Sequence, residues 1–342
     1  MKKNKIFFAV IGCGTIGLRH ISIINNSENC KLLAVIDKNQ KKIENLDQKK
    51  IPFFYDLDGF FESSIEVDVM VIATPNGLHS DHALKSLENN CHVLVEKPMA
   101  LFKQDAEKII YKSIQMKKNV FVVMQNRYSP PIKWIKNVLH KKVLGEIYMV
   151  NVNCFWNRDE RYYENHEWHG NKKLDGGTLY TQFSHFIDII YWLFGDIKNI
   201  SSKFFNFNHV NQIEFEDSGF INFDFLKGGS CNLNYTTSVW DKNLESSMTI
   251  IAENGSVTIG GQYMDKVLNC HIKNYEMEKI EPTNSPNIYE GYVGSAQNHQ
   301  YVIQNVVDVL NNSQEIKTNA IEGLKVTEII ENIYSKVKND FK

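Results

Sequence analysis

The chain lacks an excess of charge of either sign. Its 38 Lys+Arg are balanced by 40 Asp+Glu, which gives a formal net charge of −2 at pH 7. A nearly neutral chain has no overall field that would attract a nucleic acid or an anionic membrane, so neither is expected as a partner. With 342 residues, of which 43% are hydrophobic, the chain is long enough for about two globular domains, each with its own core.

Long hydrophobic runs and paired cysteines are also missing. The longest strongly apolar run, residues 189–194, is far shorter than the roughly 20 residues needed to cross a bilayer. The six cysteines are scattered without a CxxC pair, and several lie in apolar segments typical of strands. This usage predicts a reduced, cytoplasmic chain and argues against a disulfide framework or a zinc site.

The first 125 residues alternate short β-branched runs with longer amphipathic stretches. This pattern is typical of a parallel sheet covered by helices, and right-handed crossovers make it a doubly wound Rossmann arrangement. The predicted strands are residues 6–11, 32–37, 67–73, 92–95 and 120–124. The predicted helices between them are residues 16–26, 79–89 and 103–117.

The pattern changes after Ser129-Pro130-Pro131. Apolar and polar residues alternate in segments 221–225 and 231–235, as in antiparallel strands with one covered face. The other predicted elements are a helix at 132–140, a strand at 147–155, a polar loop at 156–175, and helices at 177–194, 292–310 and 320–338. We therefore expect an α/β chain with a Rossmann domain at residues 1–126 and an α+β domain at 127–342. The second domain is expected to contain a large open, mainly antiparallel sheet, and its last helix can pack back on the first domain.

A glycine-rich loop connects the first predicted strand to the first predicted helix: Gly12-Cys13-Gly14-Thr15-Ile16-Gly17. Glycines permit the tight turn and the close approach of a pyrophosphate, which the helix N-terminus attracts. Asp37 ends the second predicted strand, where a carboxylate can accept both ribose hydroxyls of an adenosine. These features predict a dinucleotide site. Because Asp37 would repel a 2′-phosphate, NAD is favoured over NADP, although Lys38, Lys41 and Lys42 offer some compensation.

Two further motifs follow predicted strands, namely Thr74-Pro75-Asn76-Gly77-Leu78-His79 and Glu96-Lys97-Pro98. The glycine loop continues to His20, and Gly176-Gly177 is followed by Ser184-His185 and Asp188. Together these motifs resemble the glucose–fructose oxidoreductase, inositol dehydrogenase and MocA (GFO/IDH/MocA) family. The resemblance implies that NAD is contacted by the glycine loop, including Thr15 and Ile16, by Asp37, and by Thr74, Pro75, Asn76, His79, Glu96, Lys97 and Gln125.

Further segments resemble one branch of that family, which oxidises the 3-hydroxyl of UDP-N-acetylglucosaminuronic acid. They are residues 125–131, 155–158, 168–170 and 177–185. The resemblance implies substrate contacts from Lys97, Asn126, Arg127, Tyr128, Asn157, Arg158, Thr181, Gln182 and His185. It also implies a homotetramer packed through open sheets and a 3-keto product for an aminotransferase in bacterial surface polysaccharide synthesis. Some members of this branch reoxidise NADH in place with 2-oxoglutarate.

Lys97 and His185 are the residues that the resemblance assigns to catalysis. Alcohol oxidation needs a base at the hydroxyl, and histidine titrates near neutrality whereas lysine needs a special environment. We therefore favour His185 as the base and Lys97 as a hydrogen-bond donor, with the reverse assignment left open. Many family members have an aspartate four residues before the histidine, but this chain has Thr181, which leaves fewer groups for proton transfer. The reaction needs no Lewis acid, and no metal site is expected.

Arginine is scarce, with only Arg19, Arg127, Arg158 and Arg161 among the cationic residues. Because its planar fork suits phosphate and carboxylate, we interpret the loop containing Arg158 and Arg161 as a binder of the diphosphate, uridine or uronate. A solvated polar loop is the alternative. Two other functions also stay open: oxidation of another sugar or polyol, and a non-catalytic NAD-binding redox sensor.

Overall fold

The computed structural model describes residues 4–44, 51–164, 168–289 and 292–336. Within them the chain forms two compact units. The first unit contains the residues up to Met124 together with His299–Thr327, and the second contains Gln125–Asn298 together with the residues from Glu328 onward. The sequence placed residues 127–342 in one domain, so the structure divides the C-terminal part of the chain differently.

The first unit contains a six-stranded sheet in which every described pair of neighbouring strands is parallel. Its elements in chain order are β1 (Ile6–Ile11), α1 (Thr15–Asn25), β2 (Cys30–Ile36), β3 (Phe53–Phe54), α2 (Leu57–Phe61), β4 (Val69–Ile72), α3 (His79–Glu88), β5 (His92–Val95), α4 (Lys103–Met116) and β6 (Val120–Val122). The strand order is β3-β2-β1-β4-β5-β6. From the β1–β4 pair outward, the strands on the β1 side and those on the β4 side follow one another in the chain in opposite directions. Doubly wound sheets bind ligands in the crevice beyond the carboxyl ends of such a pair of strands.

Continuous apolar strands explain why this sheet forms. All four residues of β4 have no exposed surface, and the last four residues of β1 are buried as well. Strands buried on both faces need no polar alternation, and β-branched side chains pack well on a pleated surface. The Rossmann prediction is confirmed, with strand boundaries that differ from the predicted ones by up to two residues.

The second unit contains a seven-stranded sheet. Its elements and those that follow are α5 (Pro130–His140), β7 (Ile147–Phe155), α6 (Glu160–Tyr163), α7 (Thr178–Thr181), α8 (Ser184–Phe194), β8 (Ile197–Phe205), β9 (Ser218–Phe225), β10 (Ser230–Thr236), β11 (Glu245–Ala252), β12 (Gly255–Gly260), β13 (Lys266–Ile272), β14 (Pro286–Tyr289), β15 (Tyr292–Ala296), α9 (His299–Leu310) and α10 (Ala320–Ser335). The strand order is β13-β12-β11-β7-β10-β9-β8, and only the described pair β7–β10 is parallel. The prediction of a large, mainly antiparallel sheet is confirmed.

Buried and exposed side chains alternate along β9, so the sheet has one covered face and one accessible face. Ile221, Phe223 and Phe225 are buried, whereas Phe220 beside them is half exposed. The Phe225 ring stacks on Phe194 of α8 with centroids 4.7 Å apart. Because side chains alternate along a strand, α8 covers one face of β9 and leaves the other face accessible.

Three predicted elements differ from the observed ones. Residues 292–296 of the predicted helix 292–310 form β15 and pair with β14, since Gly294 disfavours a helix and Val293 favours a strand. The predicted helix 177–194 is interrupted after Thr181, so that α7 and α8 are separate. The predicted loop 156–175 contains the short helix α6. The end of the predicted helix 320–338 lies outside the described residues.

The segment 299–327 belongs to the first unit through specific contacts. Gly323 of α10 lies so close to Val122 and Met99 that a methyl group there would crowd both side chains. The Thr327 hydroxyl donates to the carbonyl oxygen of Ala100 over 3.2 Å. These contacts fix the start of α10 against the sheet edge at β6.

No helix among the described residues is long and apolar enough to span a membrane. The six cysteines are free thiols, five of them buried.

Candidate active site

The glycine loop has the backbone geometry that a dinucleotide site requires. Gly12 has φ +90°, and a side chain there would collide with Ala73 at the end of β4. Gly17 packs against the Gly12 carbonyl group, which leaves no room for a side chain. Gly14, in contrast, has open space around its Cα and directly precedes α1. The loop therefore combines an accessible backbone with a helix N-terminus, the combination that accepts a pyrophosphate.

Asp37 follows β2 and is held against the glycine loop. Its carboxylate accepts the Cys13 backbone N–H over 2.7 Å and the Asn39 backbone N–H over 2.9 Å. The Lys42 ammonium lies 3.3 Å away. An ionised carboxylate has about four acceptor positions, so these contacts leave capacity for a ribose hydroxyl. The residues present therefore fit NAD.

His79 connects the loops that follow β4 and β5. Its imidazole is 1% exposed, with Nδ1 2.7 Å from the carbonyl oxygen of Pro98 and Nε2 2.8 Å from that of Thr74. Burial lowers its pKa. Both ring nitrogens of His79 lie within hydrogen-bond distance of these carbonyl oxygens, so the side chain lies between the Thr74 and Lys97-Pro98 segments. Its contact with the cofactor stays a prediction.

Glu96 and Lys97 follow β5. Glu96 is 6% exposed and accepts a hydrogen bond from His20 Nε2 over 2.8 Å. Burial alone would raise the pKa of its carboxyl group, but the hydrogen bond from His20 and the neighbouring His299 and Lys97 lower it to about 2. Glu96 is therefore a buried anion beside the half-buried Lys97.

In the second unit, residues 125–128 form a buried turn. Asn126 accepts the Ser295 hydroxyl over 2.6 Å. Arg127 donates through Nε and Nη2 to both carboxylate oxygens of Asp188 on α8, over 2.5–3.1 Å. The side chains of Arg127 and Asp188 are 3% and 4% exposed, so the predicted substrate ligand Arg127 is engaged in a buried bidentate ion pair.

Arg158 lies just after β7 and is 1% exposed. Its guanidinium carbon lies 4.8 Å from the ring centroids of Trp156 and Tyr292, and its Nε donates to Gln182 Oε1 over 2.8 Å. Its Nη1 and Nη2 groups donate to carbonyl or amide oxygens of Asn157, Asn243 and Val293. All of these acceptors are neutral. The second predicted arginine ligand thus sits within an aromatic cage and positions Gln182.

His185 lies in the first turn of α8 and is 7% exposed. Thr181 and Gln182 precede it at the break between α7 and α8. The Gln182 amide donates to the Tyr162 hydroxyl over 2.6 Å, and the Thr181 hydroxyl donates to the Asp175 carboxylate. Three predicted substrate ligands, Thr181, Gln182 and His185, therefore lie in the short segment that spans the break between the two helices.

Asp175 was missed by the sequence analysis. It is 2% exposed and also accepts the Gly170 backbone N–H over 2.8 Å. The family resemblance implies an aspartate at the position of Thr181, which is absent here, yet the carboxylate of Asp175, six residues earlier, contacts Thr181 directly. No local spacing signals this pair, since the contact depends on the fold of the loop before α7.

Glu216 is a buried acid next to α7, where the Thr178 hydroxyl donates to its backbone carbonyl oxygen. It accepts hydrogen bonds from the hydroxyls of Tyr334, over 2.6 Å, and Tyr235, over 3.0 Å. Burial raises the pKa of the Glu216 carboxyl group to about 7, against the lowering effect of these bonds. Tyr334 also accepts the Leu179 backbone N–H, so the cluster supports the helix that leads to His185.

Replacing Glu216 by glutamine should make the second unit more stable at alkaline pH than the unchanged protein. Because the folded state raises the pKa of Glu216 from 4.5 to about 7, this group favours folding below pH 4.5 and loses that contribution as pH rises to 7. The loss is roughly 3 kcal/mol, and the Glu216→Gln variant would not show it. Urea unfolding of both proteins at pH 5 and pH 8 measures the difference between them. An equal pH dependence of both proteins would contradict this prediction.

Comparison with known proteins agrees with the geometry. Residues 6–124 match a model described as an oxidoreductase family with an NAD-binding Rossmann fold, and residues 132–258 match a GFO/IDH/MocA C-terminal domain. Among curated proteins, Bacillus subtilis glucose-6-phosphate 3-dehydrogenase is 27% identical over 54% of this chain and 53% of its own length. The chain thus spans about half of that relative.

Two solved structures are similar over nearly the whole chain. The WlbA dehydrogenase from Bordetella pertussis, in complex with NADH and UDP-GlcNAcA, has a TM-score of 0.89 and 28% identity, covering 98% of this chain and 97% of its own. The Chromobacterium violaceum WlbA dehydrogenase, in complex with the same two molecules, has a TM-score of 0.85 and 28% identity, covering 100% and 98%. The glycine loop, the fixed Asp37 and both domain matches lead to one conclusion: this chain belongs to the GFO/IDH/MocA family and is an NAD-dependent oxidoreductase.

Proposed function

We propose that this protein oxidises the 3-hydroxyl of UDP-N-acetylglucosaminuronic acid to a 3-keto sugar, with NAD as the oxidant. The observation that carries the proposal is the similarity over 98% of the chain to a dehydrogenase solved with NADH and UDP-GlcNAcA. The buried segment 181–185 and the Glu96-Lys97 pair supply the groups that such a reaction needs. The product would enter bacterial surface polysaccharide synthesis, such as that of a lipopolysaccharide O-antigen.

The proposed chemistry divides the work between Lys97 and His185. NAD, when bound, accepts the hydride that leaves the sugar carbon. His185 takes the proton of the sugar hydroxyl group, and the oxygen of that hydroxyl becomes the oxygen of the new carbonyl group. Lys97 donates a hydrogen bond to that oxygen and stabilises the negative charge that develops on it. Asp175 fixes the Thr181 hydroxyl, and we propose that Thr181 orients the sugar.

In this proposal Arg158 helps the protein to recognise the negative charge of the substrate. Its buried cation is bonded to neutral acceptors, so its field is not cancelled by a bonded carboxylate. In a low-dielectric interior such a field favours a nearby anion. We propose that Arg158 acts through Gln182 and through this field to favour the uronate carboxylate. Arg161, whose side chain is about half exposed and is paired with Asp159, is the arginine of this loop that we propose to contact the diphosphate.

NAD should bind at least about tenfold more tightly than NADP, because Asp37 would repel a 2′-phosphate. Asp37→Asn should reduce that preference, since the amide oxygen still accepts the Cys13 N–H but carries no charge. Lys42→Met should increase the preference, because it removes the cation that now offsets Asp37. Fluorescence titration with NADH and NADPH measures both ratios. Tighter binding of NADPH to the unchanged protein would contradict the prediction.

A panel of substrates tests the proposed specificity. UDP-N-acetylglucosaminuronic acid should support NADH formation, and UDP-N-acetylglucosamine, which lacks the carboxylate, should react much more slowly. Glucose 6-phosphate and inositol represent the second candidate function, oxidation of another sugar or polyol, which the Bacillus subtilis relative favours. Faster turnover of either of these than of the nucleotide sugar would replace the proposal by that alternative.

Two partners belong to the proposal as well. The accessible face of the seven-stranded sheet carries asparagines that bond one another across strands, such as Asn232 to Asn222 over 2.6 Å and Asn234 to Asn153 over 2.9 Å. We propose that this face packs against another copy of the chain in a homotetramer, which light scattering tests directly. We also propose 2-oxoglutarate as the compound that reoxidises NADH, and its reduction to 2-hydroxyglutarate is the test.

A further inference from the structure

A histidine and an aspartate that the proposed chemistry does not use are in contact inside the second unit. His209 lies in the connection between β8 and β9, and Asp217 directly precedes β9. His209 is 1% exposed and Asp217 has no exposed surface. Nδ1 of the imidazole lies 3.0 Å from Oδ2 of the carboxylate. We refer to these two residues as the buried pair.

The contacts of Asp217 identify its carboxylate as an anion. Oδ2 also accepts the backbone N–H groups of Phe207 and Asn208, over 2.9 and 2.8 Å, and Oδ1 accepts the Ser218 hydroxyl over 2.7 Å. A carboxylate that accepts several hydrogen bonds is stabilised in its charged form. Burial alone would raise the pKa of this carboxyl group, but the hydrogen bonds from His209 and from these three donors lower it to about 2.

Both ring nitrogens of His209 face hydrogen-bond acceptors. Nε2 lies 2.6 Å from the backbone carbonyl oxygen of Arg158, and Nδ1 faces the charged Asp217. Neither acceptor carries a hydrogen, so both contacts are hydrogen bonds only when each ring nitrogen has its own N–H group. The Ser238 hydroxyl is also near Nδ1 but lies farther away, at 3.5 Å. The geometry therefore requires the imidazolium form of His209.

A carboxylate distinguishes His209 from His79. His79 also lies between two oxygens, but both belong to uncharged carbonyl groups, and burial lowers its pKa. Burying a charged side chain is costly unless the charge is paired and hydrogen-bonded. Asp217 supplies that partner to His209, and His79 accordingly serves as an internal comparison.

Asp217 is connected to the main chain of Arg158 by two routes. Through its side chain it contacts His209, which faces the Arg158 carbonyl oxygen. Its backbone carbonyl oxygen accepts the Thr237 N–H over 2.8 Å, and the Thr237 carbonyl oxygen accepts the Arg158 N–H over 2.8 Å. Both polar groups of the Arg158 main chain are thus held by residues that Asp217 fixes. The side chain of Arg158 then continues to Gln182, to which its Nε donates over 2.8 Å.

We propose that the buried pair is a positioning device for Arg158. Asp217 holds His209 as an imidazolium, which fixes the Arg158 carbonyl group and thereby the guanidinium group against Gln182. Neither member of the pair needs to touch the substrate. This inference rests on the proposed function only for the substrate that Arg158 helps to recognise, since the protonation of His209 does not depend on a substrate.

The substrate-free test is nitrogen-15 NMR of protein labelled in its histidine side chains, recorded near neutral pH. Both ring nitrogens of His209 should have the chemical shifts of protonated nitrogens, whereas His79 should show one protonated and one unprotonated nitrogen. The His209 signals are those missing from His209→Gln, and the His79 signals are those missing from His79→Gln. A single protonated nitrogen on His209 in the unchanged protein would overturn the inference, whether or not any Asp217 variant folds.

Replacing the aspartate tests the origin of the charge. Asp217→Asn retains the shape of the side chain but removes the counter-ion, so His209 should change to the singly protonated form. The matched control is Asp224→Asn, which neutralises an aspartate near the other end of β9 and should leave His209 doubly protonated. Doubly protonated His209 in a folded Asp217→Asn protein would contradict the role of Asp217.

Two variants of His209 separate positioning from a purely structural role. His209→Leu removes the donor to the Arg158 carbonyl group, and KM for UDP-N-acetylglucosaminuronic acid should rise about tenfold with kcat little changed. His209→Gln also lacks the charge but keeps an N–H donor, so its KM should rise less. The preference for this substrate over UDP-N-acetylglucosamine should fall in the same order. A structural role alone predicts lower unfolding midpoints with an unchanged KM, and that result, or equal KM values in the two variants, would overturn the inference.

Failure of the proposed function gives a different result. Doubly protonated His209 in a protein that does not oxidise the nucleotide sugar would contradict the proposed function and would support the contact between the buried pair and Arg158. In that case KM for whichever sugar the protein does oxidise replaces the nucleotide sugar in the comparison of His209→Leu with His209→Gln.

Discussion

Lys97→Met lowers kcat for oxidation of the nucleotide sugar by roughly 10²- to 10⁴-fold, if Lys97 stabilises the developing negative charge as proposed. Methionine has a similar volume and flexibility but no charge and no N–H donor. His185→Asn should have an effect of the same size, because it removes the base. NADH formation, followed by absorbance at saturating substrate, measures both effects.

Binding measurements separate these losses from damage to the fold. His185→Asn should bind NADH with nearly unchanged affinity, since the contacts that fix Asp37 and the glycine loop do not involve its side chain. Lys97 is itself a predicted cofactor contact, so an unchanged urea unfolding midpoint is the check of the fold for Lys97→Met. Lys97→Arg keeps the charge and should retain more activity than Lys97→Met. Near-normal turnover in both Lys97→Met and His185→Asn would refute the assigned chemistry.

Arg127→Met destabilises the second unit by about 3–5 kcal/mol, because it leaves the Asp188 carboxylate buried without its bidentate partner. The ion pair joins the turn at 125–128 to α8, the helix that carries His185. Urea unfolding followed by tryptophan fluorescence is a suitable measurement. All five tryptophans of the chain lie between residues 134 and 240, within the second unit.

Two comparisons make this stability prediction specific. The double variant Arg127→Met/Asp188→Leu removes both charges and should recover much of the loss, as replacement of buried ion pairs by apolar side chains often does. Arg161→Met breaks an exposed arginine–aspartate pair and should move the unfolding midpoint little. A small effect of Arg127→Met, similar to that of Arg161→Met, would show that the buried pair does not stabilise the unit.

The elements that the sequence predicts well are those whose own residues determine them. β1 and β5 are largely buried on both faces and therefore appear as short apolar runs, and the predicted bounds of both strands match the structure. The glycine loop can be recognised in the sequence because Gly12 has a positive φ and Gly17 has no room for a side chain, two requirements that other residues do not meet. The same local signals explain why a doubly wound Rossmann arrangement could be predicted from the sequence.

The elements that the sequence predicts poorly depend on contacts between distant residues. The break between α7 and α8 is not visible in the apolar periodicity, since both helices bury apolar side chains. β15 was predicted as the start of a helix although Gly294 disfavours one, and its pairing with β14 completes it as a strand. The scarcity of arginine and the family resemblance led to the prediction that Arg127 and Arg158 bind the substrate, and the structure shows both guanidinium groups bonded to protein atoms.

The buried polar pairs show the same limit most clearly. Asp175 meets Thr181 through the fold of the intervening loop, and His299 meets Glu96 only because α9 returns to the first unit. Sequence spacing carries no information on either contact. The residues that tune a site are therefore harder to predict than the residues that identify its family.

The most direct test of the proposed activity uses UDP-N-acetylglucosaminuronic acid with deuterium at carbon three of the sugar. The proposed reaction predicts that this deuterium appears in the reduced NAD and that the nucleotide sugar becomes a ketone lacking both the deuterium and the hydroxyl proton, as mass spectrometry of both products would show. Reduced NAD without deuterium, or a nucleotide sugar that keeps its label during turnover, would contradict oxidation at that carbon.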